Sequence, residues 1–253
     1  MAEEERRYSY NLLVILKETV VDAYNHMGYT LFSSVLWLLV VAPLVMFAYL
    51  TLQVEVEAGE NLLNIVFNLP FVFILIFYSA LVIAPVNSAL LFQAYKNLEG
   101  WSSLRGFWKN LRRKYWQTVG VYLLYGIAFS LLIMNIAICF YLLTPLFTKI
   151  VGIFNLYLLL FLILAGFYLP PLIVLQENTI KKVLKKAFLL AFANGPQTFL
   201  VLLILSLIGL LFSFLLPLLV MVYGGILQFF IIRVFLGLLE KYEAKSTVKT
   251  GSE

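Results

Sequence analysis

"AFLLAFANGPQTFLVLLILSLIGLLFSFLLPLLVMVYGGILQFFII", Ala187 to Ile232, runs for 46 residues without one Asp, Glu, Lys or Arg. A membrane-crossing helix needs about 20 apolar residues. The tract is therefore too long for one crossing and long enough for two. Ser213 and Pro217 mark the turn, predicting spans over 196–214 and 216–239. Four shorter charge-free tracts hold one span each: Ala23–Val54, Asn61–Tyr95, Tyr115–Thr148 and Ile150–Gln176. The sum is six.

Composition agrees with a lipid solvent. Of 253 residues, 63% are hydrophobic and 12% charged, and the mean hydropathy is +0.97. A soluble domain carries about 25% charged residues, so this chain has too little polar surface to stay in water. Charge placement then predicts orientation, because loops rich in Lys and Arg stay inside. With six spans and both termini cytoplasmic, 17 of the 18 Lys and Arg residues fall inside, and the outer loops keep only Lys149, plus the acidic Glu55, Glu57 and Glu60. Five spans would export Lys241, Lys245 and Lys249 and lose the bias. The N-terminal residues show no short apolar run with a small-residue cleavage site. The reading is an all-α, polytopic protein of the cell inner (plasma) membrane, inserted by its own first span.

The spans are predicted to come as three repeats, 8–96, 97–178 and 179–240, with 241–253 a cytoplasmic tail. Each repeat is a cytoplasmic amphipathic interface helix, an outward span and an inward span. In the third, Ile180, Val183, Leu184, Ala187, Phe188 and Ala191 share one helical face, opposite Lys181, Lys182, Lys185 and Lys186. In the second, Leu104, Phe107, Trp108, Leu111 and Tyr115 oppose Arg105, Lys109, Arg112 and Arg113, with Lys114 in the same basic cluster. In the first, Leu12, Leu13, Leu16, Val20 and Ala23 oppose Asn11, Lys17, Glu18 and Asp22. Thr30, Thr118 and Thr198 begin the outward spans. "FNLPFVFILIFYSALVIAP" (67–85) and "FNLYLLLFLILAGFYLPP" (154–171) share an early Asn and a late Pro, and "VYGGILQFF" has glycines instead. Bends are expected at Pro85, Pro170/Pro171 and Gly224/Gly225.

Catalytic chemistry finds few residues. His26 is the only histidine and Cys139 the only cysteine, which excludes HExxH and CxxC motifs and any disulfide within the chain. No Gly-rich phosphate loop appears, and no acid lies deep in a span. The expectation is a protein with no catalytic residue, no metal and no cofactor. The candidate intramembrane polar residues are Asn68, Asn87, Asn155 and Gln228, beside Asn64, Ser88, Gln93 and Asn135. Asn68, Asn155 and Gln228 either line a polar path between the repeats or only tie helices together. Arg233, alone among apolar residues, either snorkels to the interface or pairs with an acid such as Glu177.

The basic helices predict a partner. Each Lys or Arg at an anionic surface contributes about 1 kcal/mol, so Arg105–Lys114 and Lys181–Lys186 would hold the protein on anionic inner-leaflet lipids. Nucleic acid is excluded, because the basic face follows an apolar stripe that runs on into a span.

"APVNSALLFQAYKNLEGWSSLRGFWKNLRRKYWQTVGVYLL" (84–124) resembles the signature region of the YesL-like family of bacterial membrane proteins, through Pro85, Ala89, Leu90, Tyr95, Phe107, Trp108, Lys109 and Arg112. "FYLPPLIVLQENTIKKVLKKAFLLAFANGPQTFLVLL" (167–203) resembles its second block, with Asn194-Gly195-Pro196 where the family has Asn-Pro. The family is of unknown function. The resemblance implies a role beside carbohydrate ABC-type transport, with a transporter subunit as partner, and supplies no catalytic residues. Three expectations follow: a non-enzymatic accessory of such a transporter, a small-solute transporter or channel, or a scaffold on anionic lipid.

Overall fold

The computed structural model describes residues 11–57, 68–100, 104–214 and 219–250. Asn64, Glu60 and Pro217, named above, lie outside them. The described residues form nine α-helices and no strand: α1 Leu12–Asn25, α2 Met27–Glu57, α3 Leu69–Tyr78, α4 Ala84–Leu98, α5 Leu104–Ala137, α6 Leu146–Leu175, α7 Ile180–Ala193, α8 Gly195–Phe214 and α9 Gly224–Thr250. Single π-helical turns cover Ser79–Ile83, Ile138–Leu142 and Leu219–Tyr223. Six stretches are long and apolar enough to cross a membrane, among them Gly195–Phe212 and Met221–Tyr242 from the charge-free tract. The chain is an all-α, multi-pass membrane protein.

Interface helices meet spans in two ways. α1 ends at His26, whose backbone N–H donates to the Asp22 carbonyl at 2.9 Å, and α2 starts one residue later. α7 ends at Asn194, whose N–H donates to the Leu190 carbonyl at 2.9 Å, before α8. In α5 the interface helix and the span are one unbroken helix. At all three joints a buried threonine returns a hydrogen bond to the carbonyl four residues back: Thr30 to His26 (3.2 Å), Thr118 to Lys114 (2.9 Å) and Thr198 to Asn194 (2.9 Å). Each such bond uses up a side-chain hydroxyl that lipid could not satisfy.

Two of the three expected bends coincide with a π turn, directly before Ala84-Pro85 and directly before Gly224-Gly225. Pro85 has no N–H to give the carbonyl of Leu81, four residues earlier. The Tyr115 hydroxyl donates to that carbonyl instead, at 3.1 Å. Pro170 and Pro171 do not interrupt α6, and the second hairpin carries its π turn at the end of α5. The glycines of α9 serve close approach. A Cβ on Gly224 would lie 2.6 Å from the Ser34 Cα, and one on Gly225 2.6 Å from the Thr30 Cα. The Gly225 N–H donates to Ser34 Oγ at 3.0 Å. Small residues let two membrane helices touch backbone to backbone.

The core sits at the end of the bundle that carries the Lys and Arg residues, the basic end. There α4, α6 and α9 pack on one another, burying Leu90, Leu91, Leu169, Leu172, Ile173, Phe229, Phe230 and Phe235 completely or nearly so. The interface helices wrap this centre in order: the start of α5 lies on α4, α7 on α6, and α1 on α9. Tyrosine hydroxyls stitch neighbouring helices by donating to backbone carbonyls, Tyr29 to Leu90 (2.8 Å), Tyr78 to Val40 (3.0 Å) and Tyr125 to Leu162 (3.0 Å). Towards the opposite, far end the arms part, leaving an apolar cleft of about 540 Å³ among α2, α3 and α5.

The buried faces of two interface helices differ from the expected ones. On α1 the buried residues are Ile15, Thr19, Asp22 and Ala23, while Leu13 is 78% exposed and Val20 is also outside. On α5 the buried stripe is Phe107, Asn110, Lys114 and Thr118, and Trp108 points outward. Lipid accepts an apolar side chain as readily as the protein interior does, so apolar periodicity cannot say which face turns inward. On α7 the expected face is the buried one at Val183, Ala187 and Ala191, though Phe188 is exposed.

Candidate functional site

The only described charge set among the core residues of α9 is Arg233, between Ile232 and Val234, both buried. α1 lies across α9 and presents Glu18 and Asp22, one helical turn apart. Arg233 Nε donates to Asp22 Oδ2 and Nη1 to Glu18 Oε2. The Arg233 and Asp22 side chains are each 12% exposed, and Glu18 is about one-third exposed. A planar guanidinium with several fixed donors suits two carboxylates better than an ammonium would. Of the two sequence alternatives the structure has the ion pair and not the snorkelling arginine, with Glu18 and Asp22 as the acids in place of Glu177. Glu177 interacts electrostatically with Lys114 instead. The missed signal was Glu18 and Asp22 at helical spacing, two acids on one face of the interface helix α1. Chain separations of 215 and 211 residues hid the pairing.

The intramembrane amides do not converge as a path. Asn68 caps α3 at its far end, its Oδ1 accepting from the Phe71 N–H at 3.2 Å. Asn155 is buried on α6, with Nδ2 lacking a partner. Gln228 is wholly buried on α9, and its Nε2 donates to Asn87 Oδ1 of α4 at 2.6 Å. Gln228 Oε1 and the neighbouring Ser88 hydroxyl have no protein partner. The structure thus joins Asn87 to Gln228 and places Asn68 and Asn155 elsewhere. None of the four lines the far-end cleft, whose walls include Leu44, Phe71, Leu75, Tyr122, Phe129 and Met134.

His26 sits at the α1–α2 joint, its ring stacked on Phe229 with centroids 5.9 Å apart. Cys139 is buried, its thiol 3.4 Å from Asn135 Oδ1. Among the described residues no three His, Cys, Asp or Glu side chains gather as a metal site requires.

The basic surface has two patches. Arg105, Lys109, Arg112 and Arg113 are exposed on α5, whereas Lys114 is buried because it falls on the Phe107–Asn110 stripe. On α7, Lys181, Lys182, Lys185 and Lys186 are exposed, and Lys186 Nζ donates to Gln176 Oε1 (2.7 Å) and Asn178 Oδ1 (3.1 Å). Lys96, at the end of α4, pairs with Glu99 and lies over the Phe92 and Tyr95 rings. Burial would raise the Glu99 carboxyl, but hydrogen bonds from Lys96 and Tyr95 and the Lys96 charge hold it below its usual range. No family model matches the chain, and no curated protein or solved structure matches it.

Proposed function

We propose that the protein is a non-enzymatic accessory of the cell inner membrane, working by helix packing against a larger transport assembly, with its basic end and both termini in the cytoplasm. The observation that carries this reading is the closely filled centre. Where α4, α6 and α9 meet, the space is filled by Phe229, Phe230, Leu169 and Ile173, and the central Gln228 is tied to Asn87. A solute path would instead need polar groups around a shared water-filled space. Cytoplasmic placement of the basic end follows the charge bias. The YesL-like resemblance supplies the partner class, a carbohydrate ABC-type transporter.

Two measurements test this. Single cysteines replacing Asn155 and Gln228, in a Cys139→Ala background, should resist a charged aqueous thiol reagent applied from either side. Rapid labelling of both would establish a wet path and end the packing-only reading. Affinity purification in mild detergent should bring down a transporter subunit in fixed proportion. Repeated isolation of this chain alone from cells that express such a transporter would refute the accessory role.

A further inference from the structure

The basic end contains a pocket that a generic charged surface would not have. It lies between α4 and α5, encloses about 290 Å³, and is walled by Gln93 and Lys96 on one side and Gly106, Lys109, Asn110 and Arg113 on the other. Positions 106, 110 and 113 repeat at helical spacing, so α5 turns one stripe to the cavity. Position 109 borders the same stripe. Lys109 and Arg113 are exposed cations at the rim. Lys96 is the third, held by Glu99.

Asn110 is the decisive residue. It is only 3% exposed, yet neither its Nδ2 nor its Oδ1 has a hydrogen-bond partner in the protein. Buried side-chain amides nearly always have partners. This unpartnered amide lies in the wall of a cationic pocket, and turned to the cavity it would supply a donor for an anionic oxygen and an acceptor for a hydroxyl or protonated oxygen. A fork-shaped guanidinium and an ammonium at the rim complete the donor set that recognises phosphate. The volume is near the lower limit of small-ligand pockets, about 300–1,000 Å³, enough for one phosphate with a small polar substituent. Trp108 and Trp116 of α5, 60% and 77% exposed, bracket Lys109 and Arg113 along the helix. Exposed tryptophans mark headgroup depth, so the pocket opens where lipid phosphates lie.

We infer that the α4–α5 pocket binds a single phosphate mono- or diester group, with Lys109, Arg113 and the Asn110 amide as its principal contacts. The group is carried by an anionic phospholipid headgroup or by a free phosphorylated solute. This inference does not depend on the accessory role proposed above.

The test uses the full chain in detergent, read by native mass spectrometry after exchange into phosphatidylglycerol or phosphatidylcholine. Wild-type protein should retain one phosphatidylglycerol through delipidation steps that strip phosphatidylcholine. The paired change Lys109→Gln/Arg113→Gln should reduce retention by about tenfold or more. Asn110→Asp, which sets a negative charge inside the pocket, should do the same. The control Lys181→Ala/Lys185→Ala removes equal charge from α7 and should leave retention within about twofold. Equal loss in the control and the pocket pair would reduce the effect to general surface charge and overturn the site, as would no loss in either. Because Lys109 and Arg113 are exposed, that pair keeps the test valid should Asn110→Asp fail to fold. Calorimetry with inorganic phosphate and glycerol 3-phosphate separates the sources. Saturable binding that the pocket pair abolishes identifies a free solute, and retention of lipid alone identifies a headgroup. Neither lipid retention nor solute binding would refute the proposal.

Discussion

α1 and α7 are both interface helices laid across a core helix, α9 and α6 respectively, and broken from the span that follows. They use charge in opposite ways. α7 keeps four lysines outside and turns Val183, Ala187 and Ala191 inward. α1 turns Asp22 inward with Glu18 beside it, and leaves Leu13, Val20 and Tyr24 outside. Arg233 accounts for the difference. An unpaired cation in the core would be far costlier than exposing a few leucines and valines to lipid, where exposure costs almost nothing. Helix α6, under α7, carries only Lys149, at its start, where the ammonium donates to the Phe140 carbonyl, and hydrophobic packing decides the contact with α7. The lesson is that in lipid the rarest group sets the orientation of a helix, because apolar side chains are satisfied on either side.

This contrast can be broken most severely at Arg233. Arg233→Met strands two carboxylates against the core and should cost about 3–5 kcal/mol, seen as loss of monodisperse protein or a large drop in melting temperature. Adding Glu18→Gln and Asp22→Asn to the same chain should restore most of the loss. A triple variant as unstable as the single one would mean that the network is not what fixes α1. A smaller effect is expected where α2 meets α9. Gly225→Val places methyl groups against Thr30 and should cost about 1–3 kcal/mol through overpacking, read as a lower melting temperature with α1 still paired to α9. The smallest effect on stability belongs to α7. Lys181→Gln, Lys182→Gln, Lys185→Gln and Lys186→Gln together should shift stability by well under the Arg233 loss, near the ±0.5 kcal/mol usual for each surface change. The same variant should bind anionic liposomes more weakly in flotation at low salt, and a melting loss as large as that of Arg233→Met would contradict the different use of charge in α1 and α7.

Much of the architecture was legible in order along the chain. Charge-free tracts count the spans because every backbone group inside lipid must be bonded within its own helix, which requires an uninterrupted apolar segment. The joints at Thr30, Thr118 and Thr198 were visible too, since back-bonding to the carbonyl four residues earlier is a local act. The candidate sites were less legible. Asn87 and Gln228 both stand out in apolar sequence, but their pairing joins residues 141 apart. Asn68 proved to be a helix cap, a local role that its place before Leu69-Pro70 could have suggested. Asn110 carries no signal in the sequence, because its meaning comes from what it lacks. An amide without a partner can be recognised only once every neighbour is in place.

What this sequence determined by itself is a membrane protein of six helical crossings with one strongly basic end, because length, apolarity and charge are properties of segments taken singly. Tertiary structure alone decided which polar groups meet. It set Arg233 between Glu18 and Asp22, Gln228 against Asn87, and an unpartnered amide in the wall of a cationic pocket. The physical reason is that lipid treats all apolar faces alike. Only the few polar side chains discriminate among packings, and Arg233 and Gln228 find their partners on helices distant in sequence.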